Sequence, residues 1–148
     1  MGSSSTVTAL GLFNPSVSTS GYSADAGALA HDNSGTINAV YVSSGAVSAT
    51  GNFGRPGGLV STNTGTIRAS YSTAAVSSGG TFTTAAGLVT SNVGGTIIAS
   101  YAAGSVSATA GQGVLSYCLA PSQGTITNSY WSTGLSNCLL YTSPSPRD

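Results

Sequence analysis

A phrase of about fifteen residues that returns every thirty constrains this chain more than any other feature. Residues 57–71 read GGLVSTNTGTIRASY, 27–41 GALAHDNSGTINAVY, 86–101 AGLVTSNVGGTIIASY and 113–130 GVLSYCLAPSQGTITNSY. The isoleucines Ile37, Ile67, Ile97 and Ile126 step by 30, 30 and 29, as do the tyrosines Tyr41, Tyr71, Tyr101 and Tyr130. The distance from Leu29, Leu59, Leu88 and Leu115 to the following isoleucine grows from 8 to 8, 9 and 11. Constant strands joined by drifting loops are the signature of a solenoid, in which each unit contacts only its neighbours.

Within a unit the apolar period is two. Over 66–72, Ile67, Ala69 and Tyr71 alternate with Thr66, Arg68 and Ser70, which predicts a half-buried strand with the first three facing inward. A second strand runs through Val47, Val76 and Val106. Its same-parity partners are Ala49, Gly51 and Phe53 in one unit and Ser78, Gly80 and Phe82 in the next. A third, short strand carries Gly-Leu-Val at 58–60 and 87–89. Gly65, Gly95 and Gly124 each precede a Thr-Ile pair, where a tight corner calls for a residue free to take positive φ. Three short strands per unit with no helical period predict an all-β parallel β-helix of about four to five rungs. At a strand spacing near 4.8 Å the rod is roughly 20–24 Å long. One unit cannot fold alone. It buries about four large apolar side chains, worth roughly 1.5–3 kcal/mol each, against roughly 1–2 kcal/mol of backbone entropy for every ordered residue.

Residues 1–26 form a lead-in with a partial rung, since Val17 precedes Leu29 by 12 residues as Val47 precedes Leu59. No capping element is visible there, which suggests a segment cut from a longer array. Residues 27–136 hold the four repeats. The tail, 137–148, loses the period and concentrates two of the five prolines and two of the six charges. It resembles the translated read-through of a sequencing adapter, and no function is assigned to it. Only 4% of residues are charged, with no lysine and no glutamate, against about a quarter in ordinary domains. A net charge of zero gives no footprint for nucleic acid or an anionic membrane, and no apolar run reaches the length of a membrane span. The Ser/Thr/Asn/Gly surface suits a secreted or cell-surface setting. The first residues, MGSSSTVTALGLF, lack a basic n-region and a sustained apolar core, so an export signal is expected upstream. A disulfide between Cys118 and Cys138 stays open, but two cysteines make no framework, and the first reading of Cys118 is a small semi-buried thiol.

The pattern G-[GA]-L-V-x-x-N-x-G-T-I-x-x-S-Y, together with the closing GTITNSYWST at 124–133, resembles the GLUG motif of large secreted bacterial proteins. These include filamentous-haemagglutinin-like adhesins and immunoglobulin-A-cleaving metalloproteases. The resemblance covers 27–136. It implies a right-handed parallel β-helix on a secreted or surface-attached protein, with neighbouring repeats of the same parent chain as its first partners. Host surfaces or glycans would be bound through that parent. Ala28 replaces the second Gly of the motif, and the fourth unit has Leu115-Ser116 and Ser122 where Leu-Val and Asn belong.

Candidates for chemistry are few. Asn33, Asn63 and Asn92 recur at 30 and 29, and the expected role is a ladder satisfying buried corner groups. His31 adjoins Asp32, with Asp25 near in sequence, but adjacent side chains on a strand point apart and no further His, Cys or Glu completes a metal set. Arg55 and Arg68 with two aspartates do not supply the clustered bases and cations of a polysaccharide lyase. Thr36, Thr66, Thr96 and Thr125 form an outward row. The companion positions Asn38, Arg68, Ile98 and Thr127 do not give the second regular row that an ice-binding face wants. Tyr41, Tyr71, Tyr101 and Tyr130 share the parity of the isoleucines and are expected in the core or at corners rather than as a glycan platform. No catalytic, cofactor-binding or metal-binding residue is assigned, and no cofactor is expected. The expected function is a non-catalytic β-helical shaft segment of a surface or secreted adhesin. The alternatives are a spacer beside a secreted protease or carbohydrate-active enzyme and, more remotely, an ice-binding solenoid.

Overall fold

A computed structural model describes residues 1–108, 115–121 and 123–132; the tail and Cys138 lie outside the described residues. The described chain is all-β, a parallel β-solenoid of about four turns. One turn runs Thr36–Asn38, Tyr41–Ser43, Ala46–Ala49, Arg55–Gly57 and Val60–Asn63. Each segment pairs only with its equivalents one turn away, always in parallel, to give five narrow sheets. One of the two longest stacks Thr6–Thr8, Thr36–Asn38, Thr66–Arg68, Thr96–Ile98 and Thr125–Thr127. Register is strict: Val7, Ile37, Ile67, Ile97 and Ile126 lie one above another.

The five segments make three sides, because two of the expected strands are bent rather than straight. The stretch 66–72 breaks after Arg68. The residue at the break has left-handed backbone in every turn: Ala9 (φ 55), Ala39 (φ 52), Ala69 (φ 48), Ala99 (φ 48) and Asn128 (φ 47). That bend inverts the side-chain alternation. Ile67 points in, Ala69 is exposed, and then Ser70 and Ser72 are buried while Tyr71 is turned out. The simple two-residue period therefore fails at Ala69, and the expected inward Tyr71 and outward Ser70 are exchanged. The buried serines have a task here. Ser70 Oγ accepts from Val40 N at 3.1 Å and donates to Arg68 O at 2.8 Å. Ser100 Oγ accepts from Ser70 N at 3.3 Å and donates to Ile98 O at 2.9 Å. Ser129 repeats the pattern from Ser100 N. A bend that takes a backbone N–H out of the ladder is thus supplied with a hydroxyl by the turn above, as a buried donor requires.

The core is a column of Ile37, Ile67 and Ile97, joined by Leu59 and Leu88, Val47 and Val60, and Val42 and Ala102 in the position after the tyrosine, all buried. The repeated glycines before Thr-Ile are not at positive φ. Left-handed glycines occur instead at Gly45, Gly80 and Gly94 (φ 85, 100 and 71). Gly94 is the extra residue of the third turn, exposed in open space. What Gly65 and Gly124 provide is closeness: a Cβ on Gly65 would lie 2.2 Å from Gly35 O, and one on Gly124 2.3 Å from Gly95 O.

Candidate functional site

Three features of the stack could carry chemistry or binding. The first is the charge cluster on the lowest described turns. Asp25 and Arg55 occupy one register position in successive turns. Arg55 donates through Nε to Asp25 Oδ1 at 3.0 Å and through a terminal nitrogen to Oδ2 at 2.5 Å, a two-pronged grip on a carboxylate that is only 6% exposed. His31 Nε2 lies 3.0 Å from the same Oδ2, and its Nδ1 lies 3.4 Å from Asp32 Oδ2. Neighbours expected to diverge therefore converge. His31 and Asp32 are exposed on Ala30–Asn33, the edge strand of its three-stranded sheet, and the imidazole bridges the two carboxylates. The hydrogen bond to Asp25 raises the Arg55 pKa above its usual value, with desolvation opposing and the charges of Asp25 and Asp32 adding. Both Asp25 oxygens are occupied by Arg55, so the cluster works as a tie between turns. Among the described residues no group of three or more His, Cys, Asp or Glu is placed to hold a metal ion.

The second feature is the asparagine ladder, arranged as the sequence leads one to expect. Asn33 Nδ2 donates to Asn63 Oδ1 at 2.8 Å, and Asn63 Nδ2 to Asn92 Oδ1 at 2.8 Å, all three buried. Asn33 Oδ1 accepts from Gly35 N at 3.1 Å, and Asn63 Nδ2 also reaches Gly65 O at 3.3 Å. The ladder has a polarity, amide to carbonyl going up the stack. At its upper end Asn92 Nδ2 is buried with no partner among the described residues. In sequence, Ser122 stands two residues before Gly124, as Asn63 does before Gly65.

The third feature is aromatic and overturns an expectation. The tyrosines are outside: Tyr41 and Tyr71 are half-buried, while Tyr101 and Tyr130 are 41% and 48% exposed. Phe13 meets Tyr41 edge-on at 5.5 Å, Tyr41 and Tyr71 stack at 5.3 Å and 11°, and Tyr71 and Tyr101 stack at 4.6 Å and 7°. Desolvation, then the neighbouring Tyr71, raises the Tyr101 pKa above 10.0. A second exposed column climbs the turn after Ala46–Ala49: Tyr22 with Phe53 at 5.1 Å, and Phe53 with Phe82 at 5.3 Å and 16°. Parity alone places Phe53 and Phe82 on the inward face with Val47 and Val76. Left-handed backbone at both (φ 60 and 54) turns them out instead. Parallel stacking covers the facing surfaces of the inner rings. A sugar ring needs an open aromatic face, which the stacked faces of the inner rings do not offer.

The outward threonines Thr6, Thr36, Thr66, Thr96 and Thr125 are in strict register. Their companion row is Thr8, Asn38, Arg68, Ile98 and Thr127, irregular in size and charge. Cys118, expected as a thiol, is buried and disulfide-bonded. Sequence reasoning misses the bend serines and the outward tyrosines because their signal is a single left-handed residue, usually Ala, in the middle of an unbroken β pattern, and it misses the outward Phe53 and Phe82 because these are themselves left-handed. Compared with known proteins, the chain matches no family model, no curated protein and no solved structure.

Proposed function

We propose that the chain is a non-catalytic shaft segment of a bacterial adhesin or other secreted or surface-attached protein, with the repeats resembling the GLUG type. Its task is to hold a distal binding domain away from the surface, and any host-surface or glycan partner is met through the parent protein. The observation that carries the reading is the mode of construction. Isoleucine, asparagine, serine and tyrosine each stack on their own kind from turn to turn. A unit whose every polar and apolar column ends on the next unit is built to be extended. The Asp25–Arg55 pair fits the same purpose, since it joins two turns and leaves neither carboxylate oxygen of Asp25 without Arg55. The test is the sequence of the gene on either side. Further thirty-residue repeats behind an export signal are the expected result. A metalloprotease or glycan-cleaving module directly abutting the repeats would replace the adhesin reading with that of an enzyme's scaffold. Hydrolysis of a glycan or peptide by the purified chain, abolished by Asp32→Ala, would sink the non-catalytic reading itself.

A further inference from the structure

We propose that the tyrosine column is an oxidative cross-linking site, at which two neighbouring turns become joined by a carbon–carbon bond between the phenol rings of Tyr71 and Tyr101. Parallel in-register pairing puts these residues directly opposite one another on adjacent strands. Their ring centroids are 4.6 Å apart and their planes within 7°, the tightest and most nearly parallel aromatic contact among the described residues. The approach is fixed by the backbone, because the bends at Ala69 and Ala99 turn both rings to the same side. Tyr101 is 41% exposed, so an external oxidant reaches it. Tyr41, stacked on Tyr71 at 5.3 Å and 11°, extends the column and offers a second place for a radical to reside.

The co-reactant is a one-electron oxidant of the haem-peroxidase class working with hydrogen peroxide. Each phenol gives up one electron and its hydroxyl proton, leaving two tyrosyl radicals. The radicals combine between ring carbons ortho to the oxygens, one Cε from each ring. The hydrogen on each coupled carbon then moves as a proton to its phenol oxygen. Two hydrogens have left the protein, and one peroxide has become two waters. In an unfolded chain the two phenols are thirty residues apart and meet only by loop closure. In the stack they wait at the rung spacing of about 4.8 Å. The product is a covalent strap along the outside of the solenoid, across an interface otherwise held by hydrogen bonds and packing.

The experiment treats the full chain, dilute enough to suppress encounters between molecules, with a haem peroxidase and hydrogen peroxide. It reads dityrosine fluorescence and the mass of the monomer, followed by digestion with trypsin under denaturing conditions. Trypsin divides the chain at a useful place, because Arg55 is protected by Pro56 and cleavage at Arg68 separates 1–68 from 69–147. The expected result is a monomer lighter by two hydrogens, with all fluorescence in the 69–147 piece. The signal is lost in Tyr101→Phe, which keeps a ring in the stack, and lost when wild type is oxidised in urea. Halves that stay joined after digestion would place the bond at Tyr41–Tyr71 and overturn the assignment to Tyr101. Coupling found only between molecules, or undiminished in Tyr101→Phe or in urea, would overturn the proposal.

Discussion

Truncation of the middle rung of the asparagine ladder, Asn63→Ala, should be far more damaging than truncation of the top rung, Asn92→Ala. Asn63 is used in both directions, accepting from Asn33 Nδ2 at 2.8 Å and donating to Asn92 Oδ1 at 2.8 Å. Its removal leaves Asn33 Nδ2 with only contacts of 3.4 and 3.5 Å to Gly35 O and Thr66 O, and leaves the carbonyl of Asn92 without its donor. Both groups are buried, and an orphaned buried polar group costs about 1–3 kcal/mol. The carbonyl is orphaned outright, while the amide loses its one short bond, worth about 0.5–1.5 kcal/mol, and keeps the two long ones, so the expected loss is about 1.5–4.5 kcal/mol before any cavity is counted. Asn92→Ala differs in kind. It removes one acceptor from Asn63 Nδ2, which keeps Gly65 O at 3.3 Å. It also removes Asn92 Nδ2, a buried donor without a partner among the described residues. Loss and relief nearly cancel, and the expected change is within about 1 kcal/mol. Urea unfolding followed by circular dichroism measures the difference. With slopes of about 1–3 kcal/mol/M for a chain of this size, Asn63→Ala lowers the midpoint by about 0.5 M or more. Equal midpoint shifts for the two variants would refute the polarity of the ladder and the reasoning that rests on it.

Other substitutions test the remaining columns. Ala69→Gly relieves a left-handed alanine at an exposed position; roughly 1–2 kcal/mol of backbone strain set against roughly 0.5–1 kcal/mol of added unfolded-state freedom gives a small rise in unfolding midpoint, and a fall would contradict the bend. Gly65→Ala drives a Cβ to within 2.2 Å of Gly35 O, so the turns must part; a loss above about 3 kcal/mol is expected by calorimetry, in the range reserved for severe lesions. Arg55→Met leaves Asp25, 6% exposed, with His31 as its remaining side-chain contact. A loss of about 3 kcal/mol is expected, largely recovered in the double variant with Asp25→Asn, and additive effects in that cycle would show that the pair is not coupled. Alkaline titration followed by tyrosine absorbance should find Tyr101 ionising above 10.0; since the folded state holds the neutral phenol more firmly than the unfolded one, stability declines as pH rises past that value, and a first ionisation at Tyr101 would be the contrary result.

The architecture is legible because it depends on position modulo thirty, and periodicity survives ignorance of local geometry. The isoleucine column, the asparagine ladder and the parallel register all follow from residues of one type recurring at one spacing. The side-chain faces are legible only up to the first left-handed residue. A period of two assigns sides correctly while the strand remains extended. One residue in the left-handed region then reverses everything after it. Alanine gives no warning of this, since glycine or asparagine is the usual occupant, and only Asn128 in the fourth turn shows the expected residue type at that bend. The error has a definite consequence. With the parity uncorrected, Tyr71 belongs to the core and Ser70 to the surface. With the bend in place, Ser70 caps the backbone that the bend exposes, and Tyr71 joins an outer column. The glycines mislead for a related reason. Sequence reports that a side chain is missing, but not whether its absence serves a backbone angle or the approach of the next turn, and at Gly65 the second need governs.

The molecule's individuality lies on its surface. Inside, the isoleucine and asparagine columns keep nearly one residue type, although the position after the tyrosine runs Leu12, Val42, Ser72, Ala102 and Trp131. Outside, the threonine row keeps its register while its companion row changes from Thr8 through Asn38, Arg68 and Ile98 to Thr127. The paired charges of the described turns gather at Asp25, His31, Asp32 and Arg55, on the edge strand and the two turns beside it. An interior that repeats and an exterior that varies divide the work of the chain. The first sets the rise and direction of the rod. The second is free to change from turn to turn at little cost to folding, because an exposed side chain on a solenoid answers only to the residue above and the residue below. The tyrosine column, like the threonine row, is outward yet strictly repeated. Simple solubility does not call for four aromatic rings in line, and contact between turns does.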